Sequence, residues 1–307
     1  MPKFSNILFS IKLSYFRNFY TVALFFIFIM DFSFASIREF ETTRLKSTAG
    51  AGVGSVLMDE SAILNPGSIG LYTISSIYFQ KNSGEFQNKD LLGPSHHEFS
   101  DTAVIASDAK GAAAGSFAYI NQKRGDESRR TLALAMAKPF REDSSLGVSY
   151  RRIKEEVYLD GSLREESYNE FSLGVTHAIN THFTYGVVIE DPFKSRNDDT
   201  YATIGFHYLF HDYIALMLDL GADYTKQLSE TYSYRLALQV MFFNDFFFRV
   251  GHFKDELRQE QGTGLGVNWV GPKLVFELAT KKTEVDLSGV EQNQDIKETS
   301  FSVAYKF

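Results

Sequence analysis

The chain has 307 residues, of which 44% are hydrophobic and 22% charged, with a net charge of −7 and no cysteine. An acidic surface repels nucleic acid, so no nucleic-acid partner is expected. Without thiols the chain has no disulfide, no lipid-modified cysteine and no cysteine-based metal site.

The N-terminus carries the pattern of a secretory signal peptide. Three basic residues precede residues 19–30, which are apolar apart from Thr21, and small residues surround Ala35. This pattern predicts an exported protein with a signal peptide over residues 1–35, cleaved near Ala35. Twelve helical residues span only about 18 Å of a roughly 30 Å hydrocarbon core, although a short N-terminal anchor is the alternative.

Removal of residues 1–35 takes away three basic residues and one acidic residue, which changes the net charge from −7 to −9. No later apolar run reaches the roughly 18 residues that a transmembrane helix needs. If the mature chain lies in a membrane, it therefore does so as a β-barrel.

The last eight residues have the two-residue period of a strand, with Phe301, Val303, Tyr305 and Phe307 on one face. This strand resembles the C-terminal signal by which the bacterial barrel-assembly machinery recognises outer-membrane barrels. A buried edge strand of a soluble sandwich would show the same alternation.

Alternating segments separated by turn residues continue back to Tyr72 and predict fourteen strands. The predicted strands are 72–81, 98–107, 112–122, 129–138, 145–157, 165–178, 183–190, 200–210, 213–225, 231–243, 246–256, 262–270, 273–284 and 297–307. An even number of strands of about ten residues is typical of bacterial barrels. The last strand is expected to pair with the first and leave no free edge.

The connections between these strands alternate between short and longer, charged segments. This alternation predicts an all-β, antiparallel up-and-down transmembrane barrel with tight periplasmic turns and longer outer loops. A Greek-key sandwich would scatter its long connections. Because a charge facing lipid costs roughly 2–4 kcal/mol, Arg235 and Asp219 are expected to face the lumen.

Residues 36–71 do not alternate. Glycines 50, 52 and 54 are followed by a predicted short helix over residues 58–64 and by the turn signal Asn65-Pro66-Gly67. Small residues allow a peptide to thread a crowded lumen, although a periplasmic linker would have a similar composition.

This segment resembles the start of the FadL-type outer-membrane transporters and their PorV/PorQ-like relatives. The matching residues are Asp59, Glu60, Ser61, Ala62, Asn65 and Pro66, and Gly67 stands where that family usually has alanine. The resemblance implies a lumenal hatch over residues 36–71 inside a barrel formed by residues 72–307. The barrel is shorter than typical members, which implies reduced outer loops.

The resemblance also implies passive transport of hydrophobic small molecules, such as long-chain fatty acids, through movement of the hatch and a lateral gap in the wall. The candidate hatch residues are Asp59, Glu60, Asn65, Pro66 and Gly67, and the candidate ligand contacts in the lumen are Arg235, Gln239, Arg249 and Asp219. An arginine would suit a carboxylated ligand, but the same charges could form a structural ion-pair network.

The alternative function is that of a PorV-like barrel that docks secreted or surface proteins. A continuous apolar cavity beneath the hatch would favour transport, and a lumen filled by charged side chains would favour docking. The expected partners are outer-membrane lipid, the assembly machinery and a hydrophobic ligand, without a cofactor. His96, His97, His207 and His252 have no spacing that indicates a catalytic triad or metal site, so catalysis is not expected.

Overall fold

The computed structural model describes residues 37–88, 95–111, 113–159, 162–194, 200–243, 245–287 and 292–307. The predicted signal peptide and its cleavage position lie outside the described residues. Fourteen strands follow one another along the chain. They are β1 (Ser75–Asn88), β2 (Ser95–Asp108), β3 (Ala114–Arg124), β4 (Glu127–Arg141), β5 (Ser144–Leu159), β6 (Ser162–Ala178), β7 (Phe183–Glu190), β8 (Tyr201–Phe210), β9 (Ile214–Ala222), β10 (Ser233–Phe242), β11 (Phe246–Asp255), β12 (Glu260–Val270), β13 (Leu274–Leu287) and β14 (Gln292–Lys306).

The strands form a closed barrel in which each strand pairs with its neighbours in sequence. All pairs are antiparallel, and β14 closes the barrel against β1 in a register that runs from Ser76 opposite Lys306 to Asn88 opposite Gln294. The predicted fourteen-stranded barrel and its closing strand pair are therefore confirmed.

The wall has an apolar outer face and an inner face of small or polar side chains. On β4, Leu132, Leu134 and Met136 are exposed on the outside, whereas Ala133 and Ala135 are buried on the inside. Side chains of a strand alternate between faces, so a two-residue pattern in sequence becomes two chemically different surfaces.

The last strand follows the same rule. Phe301, Tyr305 and Phe307 are about half-exposed on the outer face, and Ser300 and Ser302 are buried inside. The terminal aromatic therefore belongs to the outer wall rather than to a buried core. Its backbone completes the barrel, because Phe307 exchanges both main-chain hydrogen bonds with Ser75, at 3.0 and 3.1 Å.

The connections at one end are tight, as predicted, but those at the other end differ from the prediction. Strands β3 and β4 are joined by residues 125–126 alone, because the ladder extends to Arg124 opposite Glu127. Strands β1, β2, β13 and β14 likewise extend beyond their predicted ends. These extensions are mostly polar, which makes the alternation in hydrophobicity weak in the sequence, although their inward Phe86, Val285 and Ile296 form a buried cluster.

The helices are short: α1 (Thr43–Ser47), a 3-10 helix (Pro66–Leu71) and α2 (Leu228–Thr231). The helix predicted over residues 58–64 is wrong, since this stretch forms turns. Asn65-Pro66-Gly67 begins a helix instead, because Asn65 caps it by accepting from the Gly67 N–H and Pro66 occupies its first turn. None of the helices in the described ranges has the length and apolarity needed to cross a membrane.

Barrel closure through β14 can be tested by truncation. Deletion of residues 301–307 removes the partners of residues 76–81 on β1 and should abolish the compact, faster-migrating form on unboiled gels. Phe307→Ala is the matched control, because Phe307 contributes backbone rather than side-chain bonds to Ser75 and should leave this form intact. A truncated protein that still migrates as a compact barrel would contradict the role assigned to β14.

Candidate functional site

Residues 39–74, termed the inner segment, lie inside the barrel. The Thr184 hydroxyl on β7 donates to the Gly54 carbonyl at 2.6 Å, whereas Thr43 Oγ1 lies 2.8 Å from Ser300 Oγ on β14. Strands β7 and β14 are seven positions apart in a ring of fourteen, and therefore face each other across the lumen. A segment that contacts both of them crosses the interior of the barrel.

A row of glycines on neighbouring strands allows the inner segment to approach the wall closely. A Cβ at Gly147 would overlap the Pro66 carbonyl, and a Cβ at Gly205 would overlap the backbone at Gly54. The row consists of one inward glycine on each of β5, β6, β7 and β8: Gly147, Gly174, Gly186 and Gly205. Sequence reasoning did not identify this row, although an inward glycine in each of four successive strands was a visible signal.

The Asn65-Pro66-Gly67 motif lies against this row. The Asn65 amide donates to the Val53 carbonyl at 2.8 Å and to Thr176 Oγ1 on β6 at 3.0 Å, while its oxygen accepts from the Gly67 N–H at 3.0 Å. Asn65 is buried, so these bonds replace its contacts with water. One side chain thus connects two parts of the inner segment and anchors both to the wall.

Asp219 is the second anchor. Its Oδ2 accepts from the backbone N–H groups of Gly52 at 2.8 Å and Val53 at 3.0 Å. Arg235 lies directly opposite Asp219 in the ladder between β9 and β10. Both residues are placed on the lumenal face, and the Asp219 carboxylate holds the inner segment.

Arg249 belongs to an ion-pair network. Its Nε donates to Gln239 at 2.7 Å, and its Nη1 lies 3.1 Å from Glu277 Oε1. Arg249 is buried, and in this conformation its guanidinium is engaged by the wall itself. The structure thus places Gln239 and Arg249 together in the lumen.

Two lysines tie the inner segment to the same side of the barrel. Lys46 Nζ lies 2.6 Å from Glu298 on β14, and Lys281 Nζ on β13 lies 2.7 Å from Glu41. Together with the contacts of Asp219 and Arg249, these pairs make strands β9–β14 the charged sector of the lumen.

Strands β2–β4 line the opposite kind of surface, termed the apolar strip. Ala62 of the inner segment packs among inward side chains of these strands, with Ile63 beside it. The strip residues in contact are Ala103, Ile105, Ala118, Ile120, Ala133 and Ala135, all of which are buried. The apolar strip is local to the level of Ala62. Ionisable side chains also face inward on β2 (Asp101, which is buried) and β4 (Arg129), and Ala51 of the inner segment makes apolar contacts with β9 and β10.

A cavity of about 150 Å³ lies beside the inner segment in the charged sector. Its lining includes Arg44, Glu60, Arg249, Glu277 and Lys306. Such a lining suits water or ions better than an apolar ligand. Apolar residues such as Met58, Val270 and Val275 also line it, but together with these charges they do not form the continuous apolar cavity that was expected to favour transport.

Two neighbouring acids of the inner segment are buried at this cavity. Desolvation by burial raises the pKa of Glu60 to about 7, although the Arg44 charge opposes the shift. The Thr42 hydroxyl donates to Glu60 at 2.9 Å. Burial also raises the pKa of Asp59, which accepts a hydrogen bond from Ser76.

Ser144, His177 and Asp143 converge at the β4–β5 turn, but not in the order of a catalytic relay. Ser144 Oγ lies 2.7 Å from His177 Nδ1, and Asp143 Oδ1 lies 3.8 Å from the same nitrogen. A relay needs the hydroxyl and the carboxylate on different ring nitrogens. Among the described ranges, no three or more His, Cys, Asp or Glu side chains form a group that could hold a metal ion.

No protein-family model matches the sequence, and no curated sequence is significantly similar to it. Solved structures do match over almost their whole length. The Pseudomonas putida toluene transporter TodX is 9% identical, with a TM-score of 0.69, and the match covers 88% of this chain and 98% of TodX. The monoaromatic hydrocarbon channel CymD is 12% identical, with a TM-score of 0.65 and coverage of 87% and 97%.

A FadL homologue from Pseudomonas aeruginosa is 10% identical, with a TM-score of 0.59 and coverage of 87% of this chain and 98% of the homologue. At these identities the likeness concerns the fold. The FadL-type fold implied by the sequence resemblance is therefore confirmed.

The Asp219 anchor can be tested by Asp219→Asn, which removes the charge that accepts the Gly52 and Val53 N–H groups. Hydrogen bonds to a charged group contribute about 1.5–3 kcal/mol, so amide exchange at residues 52–53 should accelerate by at least tenfold. Asp126→Asn, in the β3–β4 turn, is the control and should leave exchange unchanged. Equal exchange in wild type and Asp219→Asn would show that this carboxylate does not hold the segment.

The buried Glu60 makes seating of the inner segment dependent on pH. Its folded-state pKa of about 7 lies above the ordinary value of 4.5, so its stabilising contribution is complete below about pH 4.5 and is lost as pH rises through 7. Protection of the segment from protease, measured from pH 5 to 8, should therefore decline with rising pH in wild type. Glu60→Gln should flatten this decline, and an unchanged decline would exclude Glu60 as its cause.

Proposed function

We propose that the protein is an exported bacterial outer-membrane barrel that passes small hydrophobic molecules passively, with the inner segment as its hatch. The outer wall supports the location. Exposed apolar side chains encircle it, and aromatic pairs such as Trp269 with Phe276 and Tyr305 with Phe307 stack near the tight-turn end. Aromatic girdles flank the apolar band of transmembrane barrels.

The apolar strip is the observation that carries the transport proposal. Passage of an apolar solute through a charged lumen costs free energy, because the solute would leave the buried charges poorly solvated. Strands β2–β4 offer a surface of small apolar side chains that Ala62 of the inner segment covers. Inward polar residues border this surface, with Ser107 and Ser116 on one side and Asp101 and Arg129 on the other. Movement of the inner segment away from these strands would open a passage along them.

The distribution of contacts indicates how the hatch moves. Its polar anchors reach Asp219, Ser300 and Glu298 in the charged sector, whereas its contact with β2–β4 includes the apolar packing of Ala62. Apolar packing is non-directional and has no fixed partner atoms. The hatch therefore uncovers the apolar strip while the polar anchors keep it tethered. Of the candidate hatch residues, Asn65, Pro66 and Gly67 lie against the glycine row, and Asp59 and Glu60 line the cavity.

The ligand class follows from the charges along the route. Asp219, Arg235, Gln239 and Arg249 lie on β9–β11, away from the apolar strip, and Arg249 is engaged by Glu277. A carboxylated ligand on β2–β4 would lack these partners, and the inward Arg129 on β4 is already paired with Glu155, so an uncharged hydrophobic molecule suits the route better than a long-chain fatty acid. The toluene transporter TodX and the hydrocarbon channel CymD are named for ligands of this class.

A second candidate function is docking of secreted or surface proteins, which the charged sector favours. Buried pairs such as Lys46 with Glu298 and Arg249 with Glu277 fill that side of the lumen. A permanently filled lumen would leave the rim loops as the functional surface. The β-ladder between β2, β3 and β4 is continuous over the described residues, so the lateral gap implied by the resemblance is closed in this conformation.

Hatch movement can be tested by a disulfide, because the chain has no cysteine of its own. Met58→Cys with Ser107→Cys joins the inner segment to β2, on the side from which it would move, where the Ser107 hydroxyl oxygen lies 3.4 Å from the Met58 carbonyl oxygen. In liposomes, uptake of toluene should fall at least tenfold on oxidation and recover on reduction. Fractionation with the outer membrane and heat-modifiable migration of wild type test the location independently.

The matched control is Thr280→Cys with Thr299→Cys, which lie opposite each other on β13 and β14 and face outward. Oxidation of this pair should leave uptake unchanged. Equal uptake by the oxidised and reduced lumenal pair would exclude the inner segment as a moving hatch. No uptake in any state, with a normally folded barrel, would exclude transport and favour docking.

A further inference from the structure

The outer faces of β3–β5 carry a group of exposed basic residues, termed the basic rim: Lys123, Arg130, Arg152 and Lys154. They lie toward the end of the barrel at which residues 125–126 join β3 and β4, opposite the end at which Phe307 pairs with Ser75. Below them on the same outward faces are the exposed apolar side chains Tyr119, Leu132 and Leu134. The basic rim therefore borders the apolar band directly.

The ladder brings these charges close together. Arg130 on β4 lies directly opposite Lys154 on β5, and Arg152 lies opposite Leu132, the next outward residue of β4. Side chains directly opposite each other on one face have Cβ atoms about 4.5–5.5 Å apart, and like charges in that position are destabilising. The arrangement lowers stability unless an anion lies between the charges.

Few acidic side chains of the described residues form ion pairs with these basic residues. Lys154 forms an exposed ion pair with Glu165 at 3.1 Å, and no ion pair is found for Lys123, Arg130 or Arg152 within the described ranges. An exposed pair of this kind contributes little free energy. Glu156 on β5 and Glu98 on β2 also face outward at this end, so the basic rim keeps a small excess of positive charge, concentrated on Arg130, Arg152 and Lys154.

Outward lysines elsewhere on the wall behave differently. Lys282 on β13 lies 2.7 Å from Glu284, and Lys297 on β14 lies 3.9 Å from Glu85. Lys282 and Lys297, which lie directly opposite each other, thus each have an acidic neighbour, whereas Arg130 and Arg152 form no ion pair within the described residues.

We propose that the basic rim binds the phosphate groups of an outer-leaflet lipid whose acyl chains lie on the apolar band below it. The ligand must be anionic to bridge Arg130 and Lys154, and it must be amphipathic because the neighbouring surface is apolar. Arginine binds phosphate through two parallel N–H bonds, so Arg130 and Arg152 suit a phosphorylated headgroup. Free phosphate would gain the electrostatic attraction of the basic rim but not the contact that acyl chains make with Leu132 and Leu134. This inference rests on the outer-membrane location proposed above.

Lipid binding by the purified barrel in non-ionic detergent tests the inference. The variant combines Arg130→Gln, Arg152→Gln and Lys154→Gln, and the probes are diphosphorylated lipid A, the same lipid without phosphates, and inorganic phosphate. Each basic residue near an anionic lipid surface contributes roughly fivefold in affinity, so the triple variant should bind diphosphorylated lipid A at least tenfold more weakly. The dephosphorylated lipid should bind weakly to wild type and variant alike.

The matched control combines Lys81→Gln, Lys282→Gln and Lys297→Gln, which removes three outward lysines from the strands at the closing seam, β1, β13 and β14. Its affinity should stay within about twofold of wild type. In detergent without lipid, the basic-rim variant should be at least as heat-stable as wild type, because like charges have been removed.

Wild-type affinity in the basic-rim variant, or equal binding of dephosphorylated lipid A, would overturn the inference. Competition by inorganic phosphate at the concentration at which lipid A binds would overturn it in favour of a simple anion site. These results do not depend on transport or on cell fractionation. If the protein fails to fractionate with the outer membrane, the proposed function fails whatever the binding result.

Discussion

The structure depends on one constraint: every strand must bond to two neighbours, so that the ladder closes on itself. The pairing of Phe307 with Ser75 completes that ring and leaves the barrel without a free edge. Once the ring is closed, side-chain alternation assigns every second residue to the lumen. The chemistry of the lumen is therefore determined by residues spread across all fourteen strands, and the inner segment must fit whatever they present.

The fit differs around the ring. Glycines on β5–β8 allow backbone to meet backbone, alanines and isoleucines on β2–β4 meet Ala62, and charged residues on β9–β14 hold the segment through Asp219 and Glu298. These three kinds of contact have different energetics, because close backbone packing and directional hydrogen bonds need fixed geometry whereas apolar contact does not. A segment held in this way has one side that can separate from the wall more readily than the others.

Much of the fold could be predicted because strand alternation and turn residues are local signals. The number of strands, the closing pair and the inward position of Asp219 and Arg235 all follow from them. The extensions of β3 and β4 could not be predicted, since Lys123 and Glu127 lie in polar sequence that resembles a loop. The helix predicted over residues 58–64 failed because the capping function of Asn65 was interpreted as a stop. The position of the apolar strip could not be predicted, because it depends on which strands the inner segment meets.

The glycine row also has a consequence for the order of folding. The Gly54 carbonyl accepts a hydrogen bond from Thr184, which lies 130 residues later in the chain, and the Gly52 N–H donates to Asp219, which lies 167 residues later. Contacts between such distant residues require long loops to close and form slowly. The inner segment precedes every strand in the chain, yet the wall residues that it contacts on β5–β9 are not in position until those strands have formed. The inner segment is therefore synthesised before every strand of the barrel but is among the last parts to reach its position.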